Sequence, residues 1–173
     1  MKNWTGWKGW VRDIGIALLI GIVILQLIKP TIVKEHSMEP NFYENDYIIL
    51  ARQAYLFSEP EYGDVVVFHT DLKQANGAEK MLIKRVIGLP GDTIEIRDGA
   101  VLRNGEALDQ SFTLEGYTAG RQDLITVPEG CVYVLGDNRQ NSQDSRQLGC
   151  IETDLIVGKA VLRLFPFNRF GLL

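Results

Sequence analysis

The chain has 173 residues and a formal net charge of −4, and 46% of its residues are hydrophobic. This length supports one domain with a real hydrophobic core and is short for two. The mild charge, without a long block of like charges, argues against a nucleic-acid-binding surface, so no nucleic-acid partner is expected.

A long apolar segment lies near the N-terminus. Residues 14–28 read IGIALLIGIVILQLI, and extending the segment to residues 10–33 gives about the 20 residues that cross a bilayer. A cleaved signal peptide would carry a small-residue site after this run, and QLIKPTIVKEH carries none. A buried core helix that is apolar on every side would need a larger protein around it. The segment is therefore predicted to be a single transmembrane anchor.

The residues that flank the apolar run indicate its orientation. Three tryptophans precede it at a spacing typical of an aromatic belt at headgroup depth: Trp4, Trp7 and Trp10. Basic residues are slightly more numerous before the run than after it: Lys2, Lys8 and Arg12 against Lys29 and Lys34. This bias favours a cytoplasmic tail at residues 1–9. Residues 34–173 are then expected outside the cytoplasm. The protein is expected to span the cell membrane once, with the lipid bilayer as the partner of its apolar segment.

Beyond Pro30, which is expected to end the helix, strand-like runs alternate with turn sequences. The runs are YIIL (47–50), VVVF (65–68), MLIKRVI (81–87), TIEI (93–96), AVLR (100–103), LITV (124–127), CVYVL (131–135) and LIVGKAVLRLF (155–165). The pairs Asp98-Gly99 and Asn104-Gly105 are typical of tight hairpins. Short strands at this spacing predict a mainly β domain, an all-β sandwich or barrel, rather than alternating βαβ units.

The chain has only two cysteines, Cys131 and Cys150, near the ends of the segment 136–149. Outside the cytoplasm a disulfide between them is possible. Two unpaired cysteines in apolar surroundings are equally compatible with the sequence, so the question stays open.

The residues suited to chemistry do not form a familiar hydrolase or metal motif. No serine lies in G-x-S-x-G or begins S-x-x-K. His36 is a poor base for Ser37, because adjacent residues of an extended chain point to opposite sides. His69 ends a predicted strand, and nothing in the sequence places it beside Ser37. The isolated histidines and distant cysteines lack zinc-ligand spacing, so neither a metal nor another cofactor is expected.

Lys84 is the most unusual lysine, because it lies inside an apolar strand. It is expected to share one strand face with Leu82 and Val86. If that face is buried, loss of water would lower the pKa of the amine by roughly 3–5 units from about 10.4. Such an amine could act as a general base near neutral pH. A solvated lysine on the exposed face of an edge strand is the alternative, and periodicity does not decide between them.

Four stretches of the chain resemble the conserved boxes of the type I signal peptidase family. Residues 37–40 read SMEP and resemble its S-M-x-P box, and residues 63–68 resemble G-D-[IV]-V-x-F. Residues 84–92 match K-R-[VIA]-[VIA]-[GA]-x-P-G-D, and residues 136–146 match G-D-N-R-x-x-S-x-D-S-R. The boxes occur in the family's order behind an N-terminal apolar segment, and the resemblance covers about residues 10–170. It implies a signal-peptidase-like all-β catalytic domain with one transmembrane helix.

The resemblance also implies a role for particular residues. Ser37 would be the nucleophile and Lys84 its general base, in a Ser-Lys variant of the catalytic triad. The Ser37 backbone N–H would contribute to the oxyanion hole. Ser142 matches the family serine that hydrogen-bonds and orients the lysine, and Asp144 with Arg146 matches a supporting ion pair. The reaction would be amide hydrolysis through an acyl-enzyme, without a metal.

By the same resemblance, the substrates are the signal peptides of secreted preproteins. The end of the signal peptide would bind as an extended strand beside residues 81–84. Small pockets would select alanine-like residues at the −1 and −3 positions, with Met38 and Ile83 as candidate wall residues. A domain of the same kind that binds extended peptides without cleaving them is the alternative.

Three features depart from the family's usual pattern. Asn41 follows the box proline where threonine is frequent. Glu35 stands two residues before the serine, where many members carry a small residue and some use a serine hydroxyl in the oxyanion hole. A carboxylate facing an oxyanion would be unfavourable, so Glu35 is expected to point away, which leaves the second oxyanion donor unassigned. The short segment 93–135 predicts a reduced β insertion.

Overall fold

The computed structural model describes residues 7–56, 58–74 and 77–173. Trp4 of the predicted aromatic belt and Lys2 of the predicted cytoplasmic tail lie outside the described residues. The helices are α1 (Trp7–Leu27) and α2 (Ser145–Leu148), with single 3₁₀ turns at Thr153–Leu155 and Phe167–Arg169. The strands are β1 (Ile28–Ile32), β2 (Tyr47–Ala51), β3 (Val65–Lys73), β4 (Glu79–Gly88), β5 (Thr93–Arg97), β6 (Ala100–Arg103), β7 (Glu106–Ala107), β8 (Gln122–Thr126), β9 (Cys131–Leu135), β10 (Ile151–Glu152), β11 (Ile156–Phe165) and β12 (Gly171–Leu172).

Helix α1 is long and apolar enough over Gly9–Leu27 to cross a membrane, and none of the side chains that the structure describes in this stretch is buried against the rest of the chain. The helix ends at Leu27, three residues before Pro30. The anchor predicted to reach residue 33 therefore exceeds the helix, because residues 28–32 form β1 and pair with β2. Proline disfavours helix in the residue before it, and an edge strand tolerates its missing N–H.

Two antiparallel sheets form the body, as the mainly β prediction requires. The larger has the strand order β1-β2-β11-β3-β4-β9-β10, with β12 added against β11. The smaller has the order β7-β6-β5-β8. Every predicted run corresponds to an observed strand, whereas β1, β7, β10 and β12 were not predicted. The last three have two residues each, too few to show an alternating pattern, and β1 contains a proline.

The hairpins of the smaller sheet form at the predicted turns. Asp98 and Gly99, between β5 and β6, have φ of 51° and 80°, and Asn104 and Gly105, between β6 and β7, have φ of 54° and 81°. Two successive positive φ angles match the twist of a hairpin, and Asp-Gly and Asn-Gly adopt them readily. The smaller sheet spans residues 93–126, so β9, predicted within the insertion, belongs to the larger sheet.

The two sheets pack together through one of three hydrophobic clusters. Its buried members come from β4, β5, β6 and β9 and the turn before β9: Ile87, Ile94, Ile96, Val101, Val127, Tyr133 and Leu135. Cys131 and Cys150 lie half-buried at its edge as free thiols, so the unpaired alternative is the one observed. This packing fixes the second sheet against the strand that carries Lys84.

Candidate active site

Ser37 lies in the turn that follows β1 and is only 4% exposed. The next residues hold this turn in the core, because the Met38 and Phe42 side chains are buried together. The Phe42 N–H donates to the Met38 carbonyl at 2.8 Å and closes the turn. Burial of Met38 and Phe42 therefore fixes the backbone next to the Ser37 hydroxyl.

Lys84 is fully buried in the middle of β4, on the strand face that also buries Leu82 and Val86. The Lys84 Nζ donates to Ser37 Oγ at 2.7 Å and to the Ile83 carbonyl at 2.8 Å. The solvated-lysine alternative is therefore wrong. The sheet brings together two side chains that are 47 residues apart in the sequence.

Burial lowers the pKa of Lys84 to about 8, because an ammonium loses water in this position. The negative charges of Asp144, Glu35 and Asp137 act in the opposite direction, and the positive charge of Lys80 adds to the lowering. A pKa of about 8 leaves roughly a tenth of the amine neutral at pH 7. At an ordinary lysine pKa only roughly one amine in three thousand would be neutral.

The segment after β9 holds the backbone of the serine. The Asn138 N–H donates to the Ser37 carbonyl at 3.0 Å, and its Nδ2 donates to the His36 carbonyl at 3.1 Å. Gly136 lies so close that a Cβ there would come within 2.5 Å of the Ser37 carbonyl oxygen. Glycine is needed because the two backbones approach so closely.

Asp144 and Arg146 form a bidentate ion pair behind this segment. Arg146 Nε donates to Asp144 Oδ1 at 2.8 Å, and Arg146 Nη2 donates to Asp144 Oδ2 at 2.9 Å. The same carboxylate accepts the Gly136 N–H at 3.0 Å and caps α2. One buried carboxylate thus fixes the start of α2 and the glycine that touches Ser37.

A second ion pair supports the other side of the segment. Arg85 donates to both oxygens of Asp137, at 2.8 and 2.6 Å. Asn41 Nδ2 donates to Asp137 Oδ2 at 2.9 Å and to the Phe112 carbonyl at 2.8 Å. Sequence reasoning missed these roles, although Arg85 and Asp137 lie inside the quoted boxes. The only signal in the sequence was that Arg85 and Asp137 carry opposite charges and lie inside these boxes.

A groove of about 580 Å³ lies between β1 and β4 and reaches Glu35 and Ile83, which are close in sequence to Ser37 and Lys84. Its apolar lining includes Val33, Ile48, Val67, Leu82 and Ile83. On one edge, β4 pairs with β3 over most of its length, but β9 pairs only with the part after Lys84. In the described chain, the other edge of residues 79–84 therefore has no strand partner. An open edge above an apolar groove suits an added peptide strand.

Comparisons with known proteins show the family of the chain. A family model described as signal peptidase, peptidase S26, matches residues 7–165. The chain belongs to this family. It is 36% identical over 162 residues to a probable signal peptidase I-1 of Synechocystis sp., covering 89% of this chain and 82% of that protein. It is 37% identical over 167 residues to a signal peptidase I of Leptolyngbya laminosa, covering 93% and 81%. A solved signal peptidase I from Enterococcus faecalis V583 is 30% identical, with a TM-score of 0.48, and covers 59% of this chain and 97% of that one.

Two residues that the family resemblance singled out differ from the expectation. Ser142 Oγ is enclosed and has no hydrogen-bond partner among the described residues, so the expected hydrogen bond to Lys84 is not formed. Met38 is fully buried in the core and does not line the groove, whereas Ile83 lies on the groove surface.

Neither histidine side chain is hydrogen-bonded to Ser37 or Lys84 within the part of the chain that the structure describes. His36 is half-exposed, and its Nδ1 lies 2.7 Å from a carboxylate oxygen of Glu39. His69 lies on the surface near Glu79, at 3.8 Å. Both positions agree with the sequence argument against a Ser-His-Asp triad in this member of the family.

Proposed function

We propose that this chain is a membrane-anchored serine endopeptidase that removes signal peptides from exported preproteins, with Ser37 as nucleophile and Lys84 as general base. The observation that carries the proposal is the 2.7 Å contact between Lys84 Nζ and Ser37 Oγ in buried surroundings. A neutral amine at this distance can take the hydroxyl proton as the oxygen attacks. Membership of the signal peptidase family supports the substrate class.

The reaction proceeds in two stages. Ser37 Oγ attacks the scissile carbonyl carbon while Lys84 Nζ takes its proton, and the Ser37 backbone N–H stabilises the resulting oxyanion. Lys84 then gives the proton to the leaving amine as the C–N bond breaks, which leaves an ester on Ser37. Lys84 then takes a proton from a water molecule that attacks this ester and gives it to Ser37 Oγ as the ester bond breaks, which releases the peptide acid and restores both residues.

The substrate binds as an extended strand on the open edge of β4. Its backbone pairs with backbone groups on the edge of residues 79–84 that no strand covers, and alternate side chains enter the apolar groove beside Ile83. Limited space there favours small residues at −1 and −3. Helix α1 holds the catalytic domain at the outer face of the bilayer, where signal peptides emerge.

Cleavage of a preprotein by the purified full-length chain in detergent tests the proposal. We expect one cut at the end of the signal peptide, after a small residue, with the new N-terminus identified by mass spectrometry. A preprotein that binds and stays uncut would contradict the proposal and favour the anchored peptide-binding domain instead.

The pH dependence of cleavage should follow the titration of Lys84. Its pKa is lowered to about 8, so the active neutral form increases as the pH rises through that value. Below it, kcat/KM should fall about tenfold for each pH unit, because protonation removes the base. The measurement is kcat/KM across a buffer series from about pH 6 to about pH 10. A profile that stays flat below about pH 8, or one with its midpoint near 10.5, would rule out this base.

A further inference from the structure

One ion pair bridges the two chain segments that carry the dyad. Lys80 Nζ lies 2.5 Å from Glu35 Oε1, and the two side chains are 29% and 42% exposed. Glu35 stands two residues before Ser37, and Lys80 stands four residues before Lys84 on β4. Both residues line the groove proposed to hold the substrate. The pair therefore crosses the groove at its rim.

More positively than negatively charged side chains border this groove. Its apolar residues are bordered by three lysines and one glutamate: Lys29, Lys34, Lys80 and Glu35. Glu35 can neutralise one lysine at a time and is engaged with Lys80. The rim therefore keeps an excess of positive charge towards anything that lies in the groove. The partial exposure of the pair means that a substrate side chain can reach it.

We propose that Lys80, paired with Glu35 in the free protein, determines substrate specificity by binding an acidic side chain of the signal peptide near the scissile bond. The substrate carboxylate replaces Glu35 on Lys80, and a basic side chain at the same place is repelled by the lysines of the rim. This inference rests on the proposed function, because it takes the groove as the site of the peptide. It adds a charge preference to the selection of small residues by the groove.

Strand geometry places this contact a short distance before the cut. Successive strand residues rise about 3.3 Å, so a peptide strand that in this proposal runs parallel to β4 reaches Lys80 about four residues before the one beside Lys84. The flexible Lys80 side chain turns back towards Glu35, which is close to Ser37 in the sequence. The acidic residue is therefore expected between the second and the fifth position before the scissile bond.

The test uses the full-length chain in detergent and synthetic peptides that differ at one position. Glutamate, glutamine or lysine is placed in turn at the second to fifth position before the cut, and kcat and KM are measured. At one of these positions the wild type should prefer glutamate over glutamine by about fivefold in kcat/KM, mainly through a lower KM, with lysine poorest. Added salt should reduce this preference.

Two variants test whether the charge preference depends on Lys80 itself and not on any lysine at the surface. In Lys80→Met the preference for glutamate should vanish, whereas in Glu35→Gln it should increase because Lys80 is then free. Lys73→Met is the matched control, since Lys73 pairs with Glu79 outside the groove lining, and it should keep the wild-type preference. The ratio between peptides is the informative quantity, because loss of the Lys80 charge raises the pKa of Lys84 and slows all peptides alike.

The outcomes distinguish this inference from the proposed function. Equal kcat/KM for the three peptides at every position, or a glutamate preference that survives in Lys80→Met, overturns the inference while cleavage itself still supports the proposed function. If the wild type cleaves none of the peptides and no preprotein, the proposed function falls and the inference falls with it.

Discussion

Replacing Lys84 with methionine is expected to reduce preprotein cleavage by about 10⁴-fold or more, because no other described group within reach of Ser37 Oγ can take its proton. Methionine keeps most of the side-chain length and stays apolar, so the packing of β4 is retained. The measurement is kcat/KM for one preprotein at about pH 8, with wild type and variant compared at equal concentration.

Ser37→Ala should lose activity to the same extent, and the double variant should be no worse than either single one. Residues that act as a unit show this non-additive pattern. Lys73→Met serves as the control for a lysine outside the site, and it should retain wild-type cleavage. Substantial activity in Lys84→Met would mean that another group is the base.

Thermal unfolding of Lys84→Met tests whether its loss of activity is chemical rather than structural. A lysine whose pKa is lower in the folded state than in the unfolded state destabilises the fold, and this cost is fully present at pH values below the folded pKa. The cost disappears as the pH rises through the unfolded value of 10.5. The shift to about 8 corresponds to a cost of about 3 kcal/mol at neutral pH. The variant should therefore unfold at the same temperature as the wild type or at a higher one.

Asp144→Asn is expected to lower the free energy of unfolding by about 3–5 kcal/mol, because it leaves the largely buried Arg146 guanidinium without its partner. The substitution also weakens the cap of α2 and the hydrogen bond to the Gly136 N–H. Urea unfolding followed by far-ultraviolet circular dichroism measures the change. Tryptophan fluorescence would be unsuitable, since all three tryptophans lie in residues 4–10.

Asp123→Asn provides a matched control within the same chain. Asp123 also pairs with an arginine two residues away, Arg121, but these side chains are 81% and 82% exposed. An exposed pair of this kind contributes about 1 kcal/mol or less. If Asp144→Asn costs no more than Asp123→Asn, the buried pair does not stabilise the segment beside Ser37.

Much of the fold could be predicted because its signals are local. Two-residue turns such as Asp98-Gly99 depend on the φ angles that their own residues tolerate, and the strands between them have alternating or continuous apolar runs. The two-residue strands gave no such signal and exist only because their partners are in place. The predicted anchor extends past Leu27 because hydropathy alone does not indicate that Pro30 pairs in a strand.

The candidate site was predicted less completely. The motifs indicated Ser37, Lys84 and the Asp144–Arg146 pair through resemblance, and the structure brings each pair together. The expected Ser142–Lys84 hydrogen bond is not formed, and Met38 packs in the core. Side-chain direction at these positions follows from the packing around them, which a one-dimensional motif does not contain.

The sequence by itself determined the strand and turn pattern and the apolar helix, because each depends on neighbours along the chain, whereas the roles proposed for Ser37 and Lys84 came from the resemblance of the motifs to a family. Only the tertiary structure decided that Lys84 is buried and lies on Ser37, that Asn138 holds the serine backbone, and that Glu35 lies on Lys80. These contacts join residues tens of positions apart. They depend on strand register and on which face of β4 the core covers, and no local pattern specifies either.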